Sequence, residues 1–197
     1  MTRIGIVLFD GAEELDFVGP WEVFTMTAKE EGTNLEVFTV SREGTEVRCA
    51  KGLRVIPDHS FASAPRMNVL LVPGGEGRKR EMHDERMLGW LRERSAEASW
   101  LTSVCTGAFL LQGAGLCAGR RVTTHWRAIE ELRARGDVTV LEEVRYVRDG
   151  NVVTAAGVSA GIDMALWLVG QLWTPALARH VQRRMQYDPA PPYSAEV

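Results

Sequence analysis

Short apolar runs alternate along the chain with longer segments in which apolar residues return at helical spacing. The short runs predict strands buried on both faces, and the longer segments predict helices. The predicted strands are residues 3–9, 35–40, 69–72, 100–104, 121–123, 138–140, 144–147 and 152–154. The predicted helices are residues 15–29 with an interruption at Gly19-Pro20, residues 106–111, 159–172 and 175–187, and two segments capped by Asp84 and Thr124.

The alternation of buried strands with helices predicts an α/β fold, in which helices cover both faces of a mostly parallel sheet. Residues 46–56 predict a hairpin, Asp149-Gly150 predicts a second hairpin turn, and the proline-rich residues 189–192 predict an extended tail. Ligands bind such sheets beyond the carboxyl ends of the strands. The candidate functional segments are therefore those that follow strands: residues 11–16, 73–77, 105–107 and 123–125.

Composition narrows the classes of function. The 197 residues, 45% of them hydrophobic, are enough for one domain over residues 1–197 with a full core. A net charge of −3 with well-mixed acids and bases predicts no nucleic-acid partner and no membrane-surface partner. The first apolar run is too short for a signal peptide, and no run approaches the ~20 residues of a membrane span. We therefore expect a soluble protein.

The three cysteines are odd in number and show neither a C-x-x-C pair nor a Cys/His spacing typical of metal ligands. Disulfides and a metal site are therefore not expected, and a reducing cytoplasm is the expected compartment. Cys49 and Cys117 are expected to be packed as small hydrophobic residues.

Cys105 separates a predicted strand from a predicted helix within SVCTG at residues 103–107. This pattern is the cysteine counterpart of the G-x-S-x-G nucleophile elbow, in which a tight turn presents one side chain above the sheet. Backbone N–H groups and the dipole at a helix N-terminus favour a thiolate there. The alternative interpretation is that Cys105 is also a small buried hydrophobic residue.

Asp16 follows the first predicted strand and lies near the start of a predicted helix. One interpretation is an acid that caps the helix or complements its dipole. The other is a carboxylic acid that exchanges a proton with a substrate held by Cys105. Because two acidic groups in contact raise one pKa, the second interpretation predicts a Cys105 thiolate beside a protonated Asp16. Glu13 and Glu14 are expected to be solvated charges.

The PGGEG segment at residues 73–77 follows another predicted strand and lacks the pattern of a phosphate-binding loop. We expect Gly74, Gly75 and Gly77 to turn the chain there. Their backbone N–H groups, together with that of Thr106, are expected to point toward negative charge that develops on the substrate.

His125 has two interpretations. A Cys/His pair is a common nucleophile and base, so His125 is a candidate base for Cys105. The alternative is that His125 only orients its loop. The other histidines, His59, His83 and His180, have no supporting context.

These segments together resemble the ThiJ/PfpI superfamily, a branch of the class I glutamine-amidotransferase-like folds, over nearly the whole chain. The PGG loop and the cysteine turn are typical of the superfamily, and further segments narrow the similarity to its isocyanide (isonitrile) hydratases. The matching segments are GAEELDFVGPWEVF at residues 11–24, LLVPGGEG at 70–77, SVCTGAFLLQGAGL at 103–116, RRVTTHW at 120–126, VSAGIDMAL at 158–166 and YDPAPPY at 187–193.

The resemblance implies a flavodoxin-like three-layer sandwich with a nucleophile elbow, in a homodimer that acts on a small-molecule substrate without a metal or organic cofactor. It implies that Cys105 attacks the terminal carbon of R–N≡C to form a thioimidate. Asp16 would serve as general acid and base, and water would release an N-substituted formamide. Thr106 matches the hydratase-like pattern, whereas protease-like members carry histidine there, so proteolysis is not expected.

Other functions use the same features. Glyoxalases or deglycases that act on reactive carbonyls, and general stress-response hydrolases, also need a pocket thiol. Ligand-sensing domains of AraC-family regulators carry similar CTG and TTHW segments before a basic helix-turn-helix region, which we do not expect here because the chain ends at Val197. A redox sensor is a further alternative, since a low-pKa thiol beside an acid can oxidise to a stabilised sulfinic acid.

Overall fold

The computed structural model describes residues 1–189. Its strands are β1 (Thr2–Val7), β2 (Leu35–Ser41), β3 (Val47–Arg48), β4 (Arg54–Val55), β5 (His59–Ser60), β6 (Val69–Val72), β7 (Trp100–Val104), β8 (Arg121–Val122), β9 (Thr139–Val140), β10 (Tyr146–Asp149) and β11 (Val152–Ala155). The central sheet has seven strands in the order β10-β11-β7-β6-β1-β2-β5. All neighbours in it are parallel except β10 and β11 at one edge, which confirms the predicted, mostly parallel sheet.

Helices cover both faces of this sheet. They are α1 (Glu14–Thr27), α2 (Arg78–Glu81), α3 (Glu85–Ser95), α4 (Ala108–Gly113), α5 (Ile129–Arg133), α6 (Ala160–Leu172) and α7 (Pro175–Arg184), with short 3₁₀ turns at Cys105–Gly107 and Trp126–Ala128. Apolar residues of α3, α4 and α5 form the core on one face, and those of α1, α6 and α7 form the core on the other. Within residues 1–189, no helix combines the length and apolarity needed to cross a membrane.

Strand β6 shows how the central strands serve both cores. Val69 and Leu71 pack with α1, α6 and α7, whereas Leu70 and Val72 pack with α3, α4 and α5. Because successive side chains of a strand point to opposite faces, a strand buried on both sides needs an uninterrupted apolar run. This is why the short apolar runs predicted the central strands correctly.

Helix α1 differs from its prediction. The interruption expected at Gly19-Pro20 is wrong, because α1 is continuous and contains Pro20. Both residues are buried, and a Cβ at residue 19 would lie 2.9 Å from Ile162 Cγ1 of α6. Close packing of α1 against α6 thus outweighs the cost of a proline that cannot donate a helical hydrogen bond.

Most other predicted elements are found near their expected positions. Residues 46–56 contain the β3–β4 hairpin, and the Asp84 side chain caps α3 by accepting the N–H groups of Arg86 and Met87. Helix α7 ends earlier than predicted, at Arg184. Residues 190–192 of the predicted tail lie outside the described residues.

The turn between β7 and α4 approaches the end of β6 closely. Gly107 is buried in this turn, and a Cβ there would lie 2.9 Å from the carbonyl carbon of Pro73 and nearer still to the carbonyl oxygen of Val72. Only a residue without a side chain allows this approach. The turn that carries Cys105 is thereby held beside the loop that follows β6.

We predict that Gly107→Ala lowers the free energy of unfolding by about 1–3 kcal/mol, since the added methyl group forces backbone atoms apart. Gly89→Ala is the matched control, because Gly89 lies inside α3 with open space around its Cβ position. There the same change should raise stability by about 0.5–1 kcal/mol. Urea unfolding measures both values, and a Gly107→Ala protein as stable as wild type would contradict the packing account.

Candidate active site

The segments singled out in the sequence converge at the carboxyl end of the sheet. In the sheet order, β7 lies between β6 and β11, and β1 lies beside β6. Parallel strands end at the same edge, so loops that are distant in the sequence meet there. Cys105 follows β7, Gly74 and Gly75 follow β6, and Asp16 lies in the helix that follows β1.

Cys105 is the first residue of the turn after β7, and its backbone is strained. Its φ of 57° lies in the left-handed region, which is costly for a residue with a Cβ. The Cys105 N–H donates to the Ala156 carbonyl oxygen at 2.8 Å, and Thr124 Oγ1 donates to the Cys105 carbonyl oxygen at 2.8 Å. Thr124 therefore anchors the turn and is not the helix cap that the sequence predicted; His125 caps the 3₁₀ turn Trp126–Ala128, and no side chain caps α5.

Asp16 lies in the first turn of α1, and its side chain is fully buried. The Gly74 N–H donates to Asp16 Oδ2 at 2.9 Å, whereas Oδ1 makes no hydrogen bond of regular geometry. The neighbouring Cys105 thiol lowers the pKa of this carboxyl, but by less than burial raises it. Asp16 does not cap α1, because no side chain caps its N-terminus, but its place in the first turn does fit an acid that complements the helix dipole.

Three donors near Cys105 lower the pKa of its thiol: the backbone N–H groups of Thr106 and Val158 and the Thr106 hydroxyl. Val158 has a φ of 40°, which is unusual for a β-branched residue. The sequence analysis did not identify Val158 as a site residue, because a backbone donor leaves no mark in the side-chain pattern.

The predicted Cys105 thiolate is contradicted. Burial, followed by the charge of Asp16, raises the pKa of Cys105 to about 12, and the three donors do not offset this rise. The residue is only 6% exposed, and helix α4 has only six residues, so its dipole adds little. Burial also raises the pKa of Asp16 to about 7, despite the hydrogen bond from Gly74. The resting pair is therefore a neutral thiol beside a carboxyl that exchanges its proton near neutral pH.

The three glycines after β6 have different surroundings. The Gly74 N–H is bound to Asp16, and the Gly75 N–H donates to Thr106 Oγ1 at 3.0 Å. Gly75 has a φ of 117°, and a side chain there would collide with the backbone of the β1–α1 loop. The Gly77 N–H donates to the Gly11 carbonyl oxygen at 3.1 Å. In the free protein these N–H groups position other residues and do not point at an empty oxyanion site.

His125 lies in the wall of the cavity that contains Cys105. Its Nδ1 accepts the Arg127 N–H at 3.2 Å, which supports the interpretation that it orients its loop. Burial, followed by the charge of Arg127, lowers the pKa of His125. A neutral ring that accepts at Nδ1 keeps its proton on Nε2, so Nε2 can donate a hydrogen bond to a ligand but cannot take a proton.

The Cys105 thiol opens into a cavity of about 360 Å³. This volume suits a small molecule. Cys49 and Cys117 are buried, and neither lines this cavity, in agreement with their expected role as packing residues. Within residues 1–189, no group of three His, Cys, Asp or Glu side chains is arranged to hold a metal ion.

Glu13 and Glu14 are not the solvated charges that the sequence predicted. Glu13 lines the cavity and forms an ion pair with Lys51. Glu14 Oε1 accepts the Lys51 N–H at 2.7 Å. Both acids therefore connect the start of α1 to the β3–β4 hairpin, a contact between segments whose pairing the local sequence does not reveal.

The geometry can now be compared with known proteins. The pattern of the DJ-1/PfpI family matches residues 2–171, a range that contains Asp16, Cys105 and Val158. The chain belongs to the DJ-1/PfpI family. This membership confirms the ThiJ/PfpI resemblance and the flavodoxin-like fold class.

This DJ-1/PfpI protein is 38% identical to the isonitrile hydratase of Pseudomonas putida over 193 residues, which are 98% of this chain and 82% of the relative. The crystal structure of a ThiJ/PfpI family protein from Pseudomonas syringae matches with a TM-score of 0.89 and 33% identity, over 100% of this chain and 79% of the other. The transcriptional regulator GbdR of Pseudomonas aeruginosa is 28% identical over 94% of this chain, which spans 50% of the regulator.

The raised pKa of Asp16 predicts a pH dependence of stability. An aspartate with a pKa of 3.8 when unfolded and about 7 when folded binds more protons in the folded state between these values. The contribution of Asp16 to the free energy of unfolding is therefore complete below the pKa of the unfolded state. It is lost as the pH rises to the pKa of the folded state. In urea unfolding, the stability of wild type relative to Asp16→Asn should fall across this range by up to about 4 kcal/mol.

Cys105→Ser serves as the control for this titration. Because burial is the first cause of the raised Asp16 pKa, most of the slope should remain in the Cys105→Ser protein. Parallel pH curves for wild type and Asp16→Asn would show that Asp16 titrates alike in the folded and unfolded states.

Proposed function

We propose that this DJ-1/PfpI protein adds water to isocyanides and releases N-substituted formamides. The observation that carries the proposal is a cavity-facing Cys105 thiol beside the buried Asp16 carboxyl. Such a pair combines a nucleophile with a group that takes and returns its proton. The identity of 38% with a relative named isonitrile hydratase supports the same chemistry.

In the first half of the proposed reaction, Cys105 Sγ bonds to the terminal carbon of R–N≡C while the thiol proton passes to the Asp16 carboxylate. Asp16 then delivers this proton to the same carbon, which gives the thioimidate R–N=CH–S–Cys105. A pKa of about 7 allows Asp16 to act as base and then as acid near neutral pH. The raised pKa of Cys105 is compatible with this step, because the thiol loses its proton only as it attacks.

In the second half, water adds across the C=N bond, with its oxygen on carbon and a proton on nitrogen, to give R–NH–CH(OH)–S–Cys105. The C–S bond then breaks as the formyl C=O forms. The hydroxyl proton passes through Asp16 to the departing sulfur, which restores the thiol and releases R–NH–CHO. The N–H groups of Thr106 and Val158 stabilise negative charge as it develops on the sulfur.

The turn at Cys105 acts in this proposal as a nucleophile elbow. Its positive φ follows directly on a buried strand, as the motif requires. The loop after β6 then has a positioning role: Gly74 orients Asp16, and Gly75 orients the Thr106 hydroxyl. The redox-sensor alternative needs a thiolate at rest, and burial, which raises the pKa of the Cys105 thiol, disfavours it.

The test offers cyclohexyl isocyanide and methylglyoxal to the purified protein, with formamide and lactate measured by mass spectrometry. We expect formamide from wild type. Cys105→Ser should remove it, and Asp16→Asn should lower kcat by about 10²–10⁴-fold, the usual range for loss of general acid–base catalysis. Cys117→Ser is the matched control, since this buried thiol does not line the cavity and should leave turnover intact.

Each other outcome identifies a different function. Formamide production that survives Cys105→Ser would overturn the mechanism. Lactate as the sole product would assign the cavity to reactive carbonyls. Tight isocyanide binding without turnover would favour a sensing domain, as in the regulators that this chain partly resembles.

We also propose that the protein is a homodimer in the cytoplasm, as the family resemblance implies. The three cysteines are free and buried, which is compatible with a reducing compartment. Light scattering during size-exclusion chromatography should give twice the mass of the chain. A single-chain mass at micromolar concentration would reject the dimer.

A further inference from the structure

The wall of the Cys105 cavity carries both acidic and basic side chains. The acidic ones are Glu13, Glu76 and Glu131, and the basic ones are Arg78, Lys79 and Arg127. A charged substrate responds to those charges that have no partner within the protein. The pairing of these residues therefore determines which substrates the cavity attracts.

Every acidic residue of the wall is paired with a basic one. These pairs are Glu13 with Lys51, Glu76 with Lys79 at 2.7 Å, and Glu131 with Arg78 at 2.5 Å. The three pairs contribute no net charge to the cavity.

Arg78 is buried and paired with Glu131. Its side chain is 7% exposed, it donates two hydrogen bonds to the Glu131 carboxylate, and its guanidinium lies 4.0 Å from the centre of the Phe109 ring. Removing a buried cation from such a pair is costly. Arg78 therefore supports the wall and is unavailable to a ligand.

Arg127 is the basic residue of the cavity wall that takes part in none of these ion pairs. Among residues 1–189, no acidic side chain lies within ion-pair distance of it, and it lines the same cavity as Cys105. The backbone N–H of Arg127 donates to His125 Nδ1, and the guanidinium lies 4.9 Å from the centre of the Trp126 ring. Stacking on an indole restrains a guanidinium while its N–H edge stays free to bind a carboxylate through two hydrogen bonds.

We propose that Arg127 selects isocyanides that carry a carboxylate at the end of R remote from the reacting carbon. This inference rests on the proposed function and specifies its substrate class. The carboxylate binds the guanidinium of Arg127 at the cavity wall, and the isocyanide carbon then points toward Cys105.

The test compares ω-isocyanoalkanoates, from isocyanoacetate to 6-isocyanohexanoate, with their neutral methyl esters. We expect wild type to prefer the acid of the best chain length by about tenfold in kcat/KM, as a charge-assisted contact would give. Arg127→Gln should abolish this preference, Arg127→Lys should retain part of it, and added salt should weaken it in wild type. The double variant Glu76→Gln/Lys79→Gln is the matched control: it removes an ion pair of the same wall without changing the net charge, and the acid-to-ester ratio should change less than about twofold.

A binding experiment separates this inference from the proposed reaction. Calorimetry on Cys105→Ser, with the N-formyl ω-amino acids of the same chain lengths and their methyl esters as probes, reports charge recognition without turnover. Suppose that no isocyanide is hydrated, but the carboxylate binds better than the ester and loses this advantage in the double variant Cys105→Ser/Arg127→Gln. The anion site would then be supported, and the proposed reaction would be rejected. Equal binding of acid and ester, or an acid-to-ester ratio unchanged by Arg127→Gln, would overturn the inference.

Discussion

Two buried acids that compete for protons dominate the chemistry of this protein. Asp16 is removed from water by α1 and the sheet, and Cys105 is held beside it by a strained turn. Burial penalises a charge on either group, and a charge on one opposes a charge on the other, so both pKa values rise. The pair therefore retains a mobile proton near neutral pH. In the proposed addition to an isocyanide carbon, the thiol gives up its proton only as it attacks, and Asp16 is the neighbouring group that takes it.

The fold surrounds the Asp16–Cys105 pair with groups from segments that are distant along the chain. Because β1, β6, β7 and β11 end at one edge of the sheet, a single site receives a carboxyl, two glycine N–H groups, a thiol and the Val158 N–H. Close backbone approach is needed for this, and Gly107 permits it at the point where the turn meets β6. The positive φ at Cys105 and Val158 stores strain at the site, which the surrounding packing and hydrogen bonds sustain.

Around the Asp16–Cys105 pair, the wall of the cavity is formed largely by charged side chains. Its charges are arranged as ion pairs, and the buried Arg78–Glu131 pair acts as a rigid part of the wall. In the proposed reaction, proton transfer takes place at the buried end of the site, and the proposed recognition of charge belongs to the side chains nearer to solvent. Substrate preference can change at residues such as Arg127 without altering the Asp16–Cys105 pair.

The sequence by itself determined the layered α/β fold and the candidate segments at the carboxyl end of the sheet, because a strand buried on both faces must be apolar throughout and a turn after such a strand leaves a recognisable pattern. It therefore identified β6, β7, Cys105, Asp16 and the PGG loop. Tertiary structure alone decided the continuity of α1 through Pro20, the anchoring role of Thr124, the donor at Val158 and the pairing of Glu13 with Lys51. It also decided the protonation of Cys105, since a local helix dipole is visible in the sequence but the burial that outweighs it is not. Burial and pairing depend on segments that are distant along the chain, and a local pattern contains no information on which segments will meet.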